Sequence, residues 1–329
     1  MSNPHRQCTS GEIAATIALS GPSAPPPGER DQQNRPVSRT TFTRYVALGD
    51  SLTEGLCDRA PGHADAFLGW ADRLAGILDG DARLAGASLE FANLAVRGRR
   101  IADVVDAQIP HALDLRPDLV SVMIGGNDLM SPAADPDALA IRLEAGIRDL
   151  RAAGTTVLLA NIFDPQFAFF LKPFRGRAAV FNANIWSIAR DQRAIVLDVW
   201  GVREFRDPAM WASDRVHLST RGHRLLAAQA AHALGVPYAE VSGPETTVVP
   251  EATAPVPPDS VPFRTWLRVY AIPWIARRVR HVSTGDGMGP KLPVPQRVDF
   301  GALAAGSGLS GGVGLSGPVG LSGGVGGQH

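Results

Sequence analysis

The sequence predicts an α/β fold in which helices cover both faces of a five-stranded parallel sheet. Between residues 42 and 238, short apolar runs typical of buried strands alternate with segments of helical periodicity. Proline is sparse in that part, with nine residues, against six in residues 1–41 and eleven in residues 239–329. The alternation favours a parallel sheet, because the helix that connects two parallel strands covers one of its faces.

Five apolar runs are expected to form the strands. They lie at 45–48, 88–94, 119–124, 155–161 and 195–199. The first run ends at Gly49 and the third at the pair Gly125 and Gly126, where glycine favours a turn. The fourth is rich in β-branched residues and leucine, which is typical of a buried strand.

Five segments with apolar residues three or four positions apart are expected to form the helices. They lie at 70–78, 101–109, 138–153, 177–190 and 220–234. Gly154 and Gly235 directly follow two of these segments, and glycine in this position favours a left-handed helix cap. Functional residues of such sheets lie beyond the carboxyl ends of the strands, so the loops there are the candidates for a site.

The segments on either side of a domain at 42–238 are expected to be irregular. Residues 1–41 are interpreted as a disordered leader, because their apolar stretch is short and follows Glu12, unlike a secretory signal. Residues 239–300 are interpreted as a proline-rich linker with a basic and aromatic extension, and residues 301–329 as a Gly/Ser-rich disordered tail. No apolar run reaches about 18 residues, so no membrane-spanning helix is expected, and without a convincing secretory signal we expect a cytoplasmic protein.

Charge and cysteine content exclude two classes of protein. The 32 basic and 32 acidic residues balance, which argues against a nucleic-acid partner. Two cysteines cannot build a disulfide framework. The histidines show no metal-ligand spacing, so neither a metal nor another cofactor is expected.

Two loops beyond predicted strands place a serine and a glycine where chemistry is possible. Ser51 lies in a glycine-flanked turn before a helix, so its hydroxyl is expected to be exposed. Its N–H lies near a helix N-terminus, which suits a developing anion. Gly98 lets a backbone N–H approach a ligand without a side chain in the way. Taken alone, each residue also fits an ordinary N-cap serine or turn glycine.

Two further loops place polar side chains at the same rim of the predicted sheet. Asn127 offers a neutral amide donor for an oxyanion, although Asn is also an ordinary turn residue. Asp214 precedes His217 by three residues, so its carboxylate can hold the imidazole in the tautomer whose Nε2 accepts a serine proton. A surface Asp/His pair is the alternative. The four loops together are more specific than any one of them.

In chain order, these loops resemble the four blocks of the GDSL, or SGNH, hydrolases. The matching stretches are Gly49-Asp50-Ser51-Leu52, Asn93 with Gly98, Gly125-Gly126-Asn127-Asp128 and Asp214-Arg215-Val216-His217. The resemblance covers residues 43–238 and implies a flavodoxin-like three-layer α/β/α sandwich that hydrolyses esters. It does not extend to residues 239–329.

The resemblance also implies roles for five residues. Ser51 would be the nucleophile, His217 the general base and Asp214 the acid that orients it. The N–H of Ser51, Gly98 and Asn127 would form the oxyanion hole. These roles predict a serine esterase acting on small-molecule or lipid esters. A carbohydrate O-deacetylase or a thioesterase would use the same groups, and a non-catalytic binding module is less favoured because all three triad residues are present.

Two other features near these loops are open to interpretation. Phe163, Phe167, Phe169 and Phe170 follow the fourth strand, where they could line an acyl pocket or pack into a cluster of their own. Cys57 lies six residues after Ser51 and is interpreted as structural, because neither His nor Lys neighbours it in the sequence.

The segment 261–280 mixes tryptophans with arginines, and residues 259–298 carry seven basic residues against two acidic ones. This composition suits an anionic membrane surface. Pro273, however, interrupts a continuous amphipathic helix. We favour docking of Trp266 and its neighbours on the preceding domain, because exposed tryptophans promote aggregation. A membrane surface is thus a less favoured partner, and the sequence leaves the oligomeric state open.

Overall fold

The computed structural model describes residues 40–60, 66–131, 133–237, 261–273, 276 and 283–297, and in these residues six strands form one sheet. The strands are β1 (Arg44–Gly49), β2 (Glu90–Asn93), β3 (Leu119–Met123), β4 (Thr156–Ala160), β5 (Ile195–Leu197) and β6 (Leu292–Arg297). Their spatial order is β5-β4-β3-β1-β2-β6. Strands β1 to β5 run parallel to their neighbours, and β6 pairs with β2 in the antiparallel sense.

The sixth strand differs from the expected count of five. It comes from the C-terminal extension and carries Pro293 and Pro295, which argue against a strand in a sequence-based assignment. Proline is tolerated on an edge strand, because one side of such a strand has no ladder hydrogen bonds to make. The extension therefore belongs to the same sheet as the domain that precedes it.

The helices alternate with the strands as the sequence predicts. They are α1 (Ser51–Glu54), α2 (Trp70–Leu84), α3 (Ile101–Asp103), α4 (Ile109–Asp114), α5 (Gly126–Leu129), α6 (Pro136–Ala152), α7 (Arg175–Gln192), α8 (Thr220–Ala233) and α9 (Phe263–Trp266). A π-helical turn, Val104–Gln108, joins α3 to α4. Gly154 and Gly235 follow α6 and α8 with φ of 85° and 68°, as the cap prediction requires.

The sheet lies between two layers of helices, so the predicted three-layer sandwich is confirmed. Alternate residues of β1 point to opposite faces. Tyr45 and Ala47 pack with residues of α2 and α8 on one face. Val46 and Leu48 pack with residues of α3, α6 and α7 on the other. All five residues of β3 are buried, as expected of a central parallel strand.

Much of the expected leader, linker and tail lies outside the described residues, namely 1–39, 238–260 and 298–329. Among the described helices, none is both long and apolar enough to cross a membrane. Because β1 to β5 are parallel, their carboxyl ends meet at one rim of the sheet. The four loops that the sequence analysis identifies lie at this rim.

Candidate active site

Ser51 is placed by the sharp turn from β1 into α1. Gly49 has a φ of 151°, and a side chain there would overlap the carbonyl oxygen of Met123 on the neighbouring strand. Asp50 caps the helix, because its Oδ1 accepts the N–H of Leu52 at 3.1 Å. Ser51 is the first residue of α1 and is partly exposed. Its hydroxyl therefore stands at the rim, at a helix N-terminus.

Ser51, His217 and Asp214 form one continuous series of hydrogen bonds. The Nε2 of His217 lies 2.9 Å from the Oγ of Ser51, across 166 positions of the sequence. The Nδ1 of His217 lies 2.5 Å from the Oδ2 of Asp214. The other carboxylate oxygen of Asp214 accepts the N–H groups of Val216 and His217, each at 3.0 Å. The turn thus holds the carboxylate in place below the ring.

The electrostatics of this pair follow from burial and from their proximity. Burial disfavours the imidazolium, but the carboxylate of Asp214 outweighs it and holds the pKa of His217 well above 6.5. Burial also opposes ionisation of Asp214. The charge of His217, its side-chain hydrogen bond and two backbone N–H donors outweigh burial and hold the pKa of Asp214 well below the usual range. Asp214 is therefore an anion at neutral pH, and His217 carries its proton on Nδ1 when neutral.

Gly98 and Asn127 reach the same rim from neighbouring loops. Gly98 has a φ of 76°, which favours glycine. The Nδ2 of Asn127 donates to the Oδ2 of Asp50 at 3.0 Å and to the carbonyl of Arg99 at 3.1 Å. Burial raises the pKa of Asp50 to about 6, so this acceptor is ionised only above that pH. Asn127 thus bonds to Asp50, the residue that precedes Ser51, and its amide donates to protein acceptors.

Asn93 supports the rim from below. Its Nδ2 donates to the carbonyl of Thr53 at 2.9 Å, and its Oδ1 accepts the N–H of Ala95 at 3.1 Å. The side chain is fully buried, so these bonds satisfy groups that water cannot reach. Asn93 therefore ties α1 to the loop that carries Gly98.

Cys57 lies closer to these groups than its sequence neighbours suggest. Its Sγ is 3.7 Å from the Oδ2 of Asp214, and its φ is 74°, an uncommon value for a residue with a side chain. Among the described residues, Cys57, Asp214 and His217 form the one group of ligand-type side chains near enough to hold a metal ion, with ligand atoms within 4.8 Å of one another. No local pattern signals this contact, since Cys57 and His217 are far apart along the chain.

The four phenylalanines beyond β4 separate into two pairs. Phe163 is buried and meets Trp211 edge-on at 5.3 Å, and Phe167 stacks on the same ring at 3.6 Å. Phe169 and Phe170 instead contact Trp266 of the extension, at 6.4 Å and 4.7 Å between ring centroids. The first pair packs into the hydrophobic core and the second into the docked extension. An acyl pocket lined by all four stays a prediction.

The extension docks directly on the Asp214–His217 turn. The Nε1 of Trp266 donates to the carbonyl of Asp214 at 3.0 Å, and the ring is buried under the guanidinium of Arg215. The hydroxyl of Tyr270 lies 3.0 Å from that of Ser213. The expected docking of Trp266 is therefore confirmed, although Phe263 is half exposed.

A three-layer α/β fold with a serine, a histidine and a carboxylate joined at its rim is typical of hydrolases that act on esters. The chain belongs to the GDSL-like lipase/acylhydrolase family, whose model matches residues 47–225. It is accordingly a hydrolase of the esterase and acylhydrolase type.

LAE5 and Axe2 are two of the solved structures that share the fold. LAE5, an α/β hydrolase enzyme from the metagenome of Lake Arreo in Spain, is 22% identical with a TM-score of 0.51, and the match covers 60% of this chain and 97% of that one. Axe2, an acetylxylan esterase from Geobacillus stearothermophilus, is 19% identical with a TM-score of 0.50, covering 59% and 95%. None of the curated protein sequences matches this chain.

Proposed function

We propose that the protein is a serine esterase that hydrolyses carboxylic esters through an acyl-enzyme. The observation that carries the proposal is the hydrogen-bonded series from the Oγ of Ser51 through His217 to Asp214, with heavy-atom distances of 2.9 Å and 2.5 Å. A general base must lie within about 2.6–3.2 Å of the hydroxyl it deprotonates, and His217 meets this requirement.

In this mechanism the ester carbonyl is attacked by Ser51 while His217 takes the hydroxyl proton on Nε2. Asp214 stabilises the imidazolium that forms. The N–H of Ser51, the N–H of Gly98 and the amide of Asn127 are the proposed donors to the tetrahedral oxyanion. For Asn127 this requires one of the two hydrogen bonds that its Nδ2 donates to give way. His217 then protonates the leaving alcohol, and a water molecule repeats the cycle on the acyl-enzyme.

The proposed substrates are lipid-like or small acyl esters. A carbohydrate O-deacetylase or a thioesterase would use the same groups, and one of the structures that share the fold bears the name of an acetylxylan esterase. Hydrolysis rates over a chain-length series of acyl esters separate these proposals. An acetyl preference favours the deacetylase, and an optimum at medium or long chains favours lipid-like esters.

Labelling by a fluorophosphonate tests the proposal itself. The wild-type protein is expected to label and to hydrolyse p-nitrophenyl acetate, whereas Ser51→Ala loses labelling and at least ~10³-fold of the rate. Ser187→Ala is the matched control, because Ser187 is exposed on α7 and bonds only the carbonyl of Ala183 in the described contacts. If Ser51→Ala retained a tenth of the wild-type rate, the assignment would be wrong.

A further inference from the structure

A short turn of the extension lies against the loop that carries Gly98. The turn spans residues 283–288, and the hydroxyl of Ser283 lies 3.4 Å from the carbonyl oxygen of Arg97. A side chain on Gly98 would overlap the Ser283 hydroxyl, and a side chain on Gly285 would overlap the Arg97 oxygen. The two segments thus lie so close together that only glycine fits at residues 98 and 285.

The turn has its own internal hydrogen bonds, so it presents a defined shape to the Gly98 loop. Asp286 accepts the N–H of Ser283 at 2.7 Å, and the Oγ of Ser283 accepts the N–H of Gly285 at 3.1 Å. Three residues further on, the ammonium of Lys291 donates to the carbonyl of Glu54 and to the carboxylate of Asp72, both at 2.7 Å. Lys291 thereby anchors the turn to the helices around Ser51.

The contact acts on one particular peptide group. The C=O of Arg97 and the N–H of Gly98 belong to the same planar peptide and point in opposite directions. Fixing the carbonyl from the extension side therefore fixes the direction of the Gly98 N–H. The preceding peptide is held as well, because the N–H of Arg97 donates to Glu54 at 2.7 Å and the Arg97 guanidinium pairs with the same carboxylate. Polar contacts thus hold the peptides on both sides of the Arg97 Cα.

We infer that the 283–288 turn is a positioning element, in which Ser283 and Gly285 set the orientation of the Gly98 N–H toward the oxyanion. The inference rests on the proposed function and adds residues of the extension to its machinery. Tethering alone does not account for the contact, because Trp266, Lys291 and β6 already attach the extension elsewhere. The described turn is mostly exposed, with Gly285 its one buried residue, so it adds little apolar burial.

Gly285→Ala tests this inference, with Gly289→Ala as its matched control. Neither glycine has a positive φ, so alanine is allowed at both, but only at residue 285 does the added methyl meet the Arg97 carbonyl. We expect Gly285→Ala to lower kcat about tenfold or more, since loss of a whole oxyanion donor costs ~10²–10³ in rate. KM is expected to stay near wild type, and Gly289→Ala to match wild type throughout.

A trifluoromethyl ketone supplies a readout that a merely structural contact would not move. It forms a tetrahedral anion on a reactive serine, so its Ki is expected to rise in Gly285→Ala by the factor that kcat/KM falls. Asp286→Ala loosens the turn without adding a clash. It is expected to lower kcat and to raise the Ki by about threefold. A fall in activity with unchanged Ki in both variants, or wild-type kinetics in both, overturns the inference.

Ser51→Ala in the same series keeps the two proposals apart. If Ser51→Ala is inactive and Gly285→Ala behaves as wild type, only the role of the turn is wrong. If Ser51→Ala hydrolyses the ester at the wild-type rate, the proposed function itself is wrong.

Discussion

The domain that precedes residue 238 and the extension that follows it are stabilised in different ways. In the domain, whole strands are buried between helix layers, and β3 has no exposed residue. In the described part of the extension, Trp266 and Gly285 are the two buried residues, and β6 is mostly exposed. The domain is therefore stabilised by burial spread over many side chains, and the extension by one buried aromatic ring, the pairing of β6 with β2 and a few polar contacts. Single substitutions should thus act very differently in the two regions.

The largest effect on stability is expected from Lys291→Met. Methionine keeps much of the apolar stem but removes the ammonium that pairs with the buried Asp72 at 2.7 Å. Removing one partner of a fully buried ion pair costs about 3–5 kcal/mol, because the remaining charge stays uncompensated, and this partly buried pair is expected to lose somewhat less. Urea unfolding at neutral pH measures this loss. Burial raises the pKa of Asp72 even though Lys291 lowers it. The loss of stability should therefore shrink at acidic pH, where Asp72 is protonated.

Lys172→Met is the matched control for this comparison. Lys172 is the other lysine of the chain and is exposed. Its substitution is expected to change the free energy of unfolding by no more than about 0.5 kcal/mol. Equal effects of the two substitutions would contradict the view that the extension depends on single contacts.

The pH profile of kcat/KM tests the domain side of the comparison. Only neutral His217 can accept the serine proton, so the rate should rise with pH through a transition above 6.5, where Asp214 holds the pKa of His217. In Asp214→Asn the carboxylate is gone and burial dominates, so the transition should move to lower pH. A lower overall rate is also expected.

Asp207→Asn serves as the control for the pH profile. Asp207 caps a short helical turn at Pro208–Met210 and is exposed, so the transition should stay where it is in wild type. A flat wild-type profile between pH 5 and pH 9 would argue against His217 as the base.

The smallest effect is expected from Trp266→Phe. Phenylalanine keeps an aromatic ring among Phe170 and Phe263 but cannot donate to the carbonyl of Asp214. One such hydrogen bond contributes about 1 kcal/mol to stability. Thermal unfolding of Trp266→Phe against Trp186→Phe, an exposed tryptophan on α7, measures the difference. Identical melting temperatures would show that docking does not depend on the indole N–H.

Most of the fold and the candidate site could be predicted because their signals are local. Each of the loops around Ser51, Gly98, Asn127 and His217 carries its own short pattern, and the parallel sheet brings the four together at one rim. The contacts of the extension carry no such pattern. Gly285 opposes Arg97 across nearly 190 positions, and a glycine in an exposed turn looks the same whether or not another backbone touches it.

Two other differences have equally physical reasons. Pro293 and Pro295 are unfavourable in a strand, and only the position at the sheet edge makes them acceptable there. Cys57 was interpreted from its neighbours in the sequence, whereas its contact with Asp214 spans 157 positions. Both outcomes depend on tertiary contacts, which sequence periodicity does not record.

The antiparallel strand β6 also sets an order of events during synthesis. Strand β2 pairs with β1 on one side and with β6 on the other. Ribosomes add about 5–20 residues per second, so ~10–40 s separate the appearance of β2 from that of β6, which lies about 200 residues further along the chain. During that interval the nascent sheet has an open edge at β2, where a second nascent chain could pair. Pairing of β6 with β2 closes that edge.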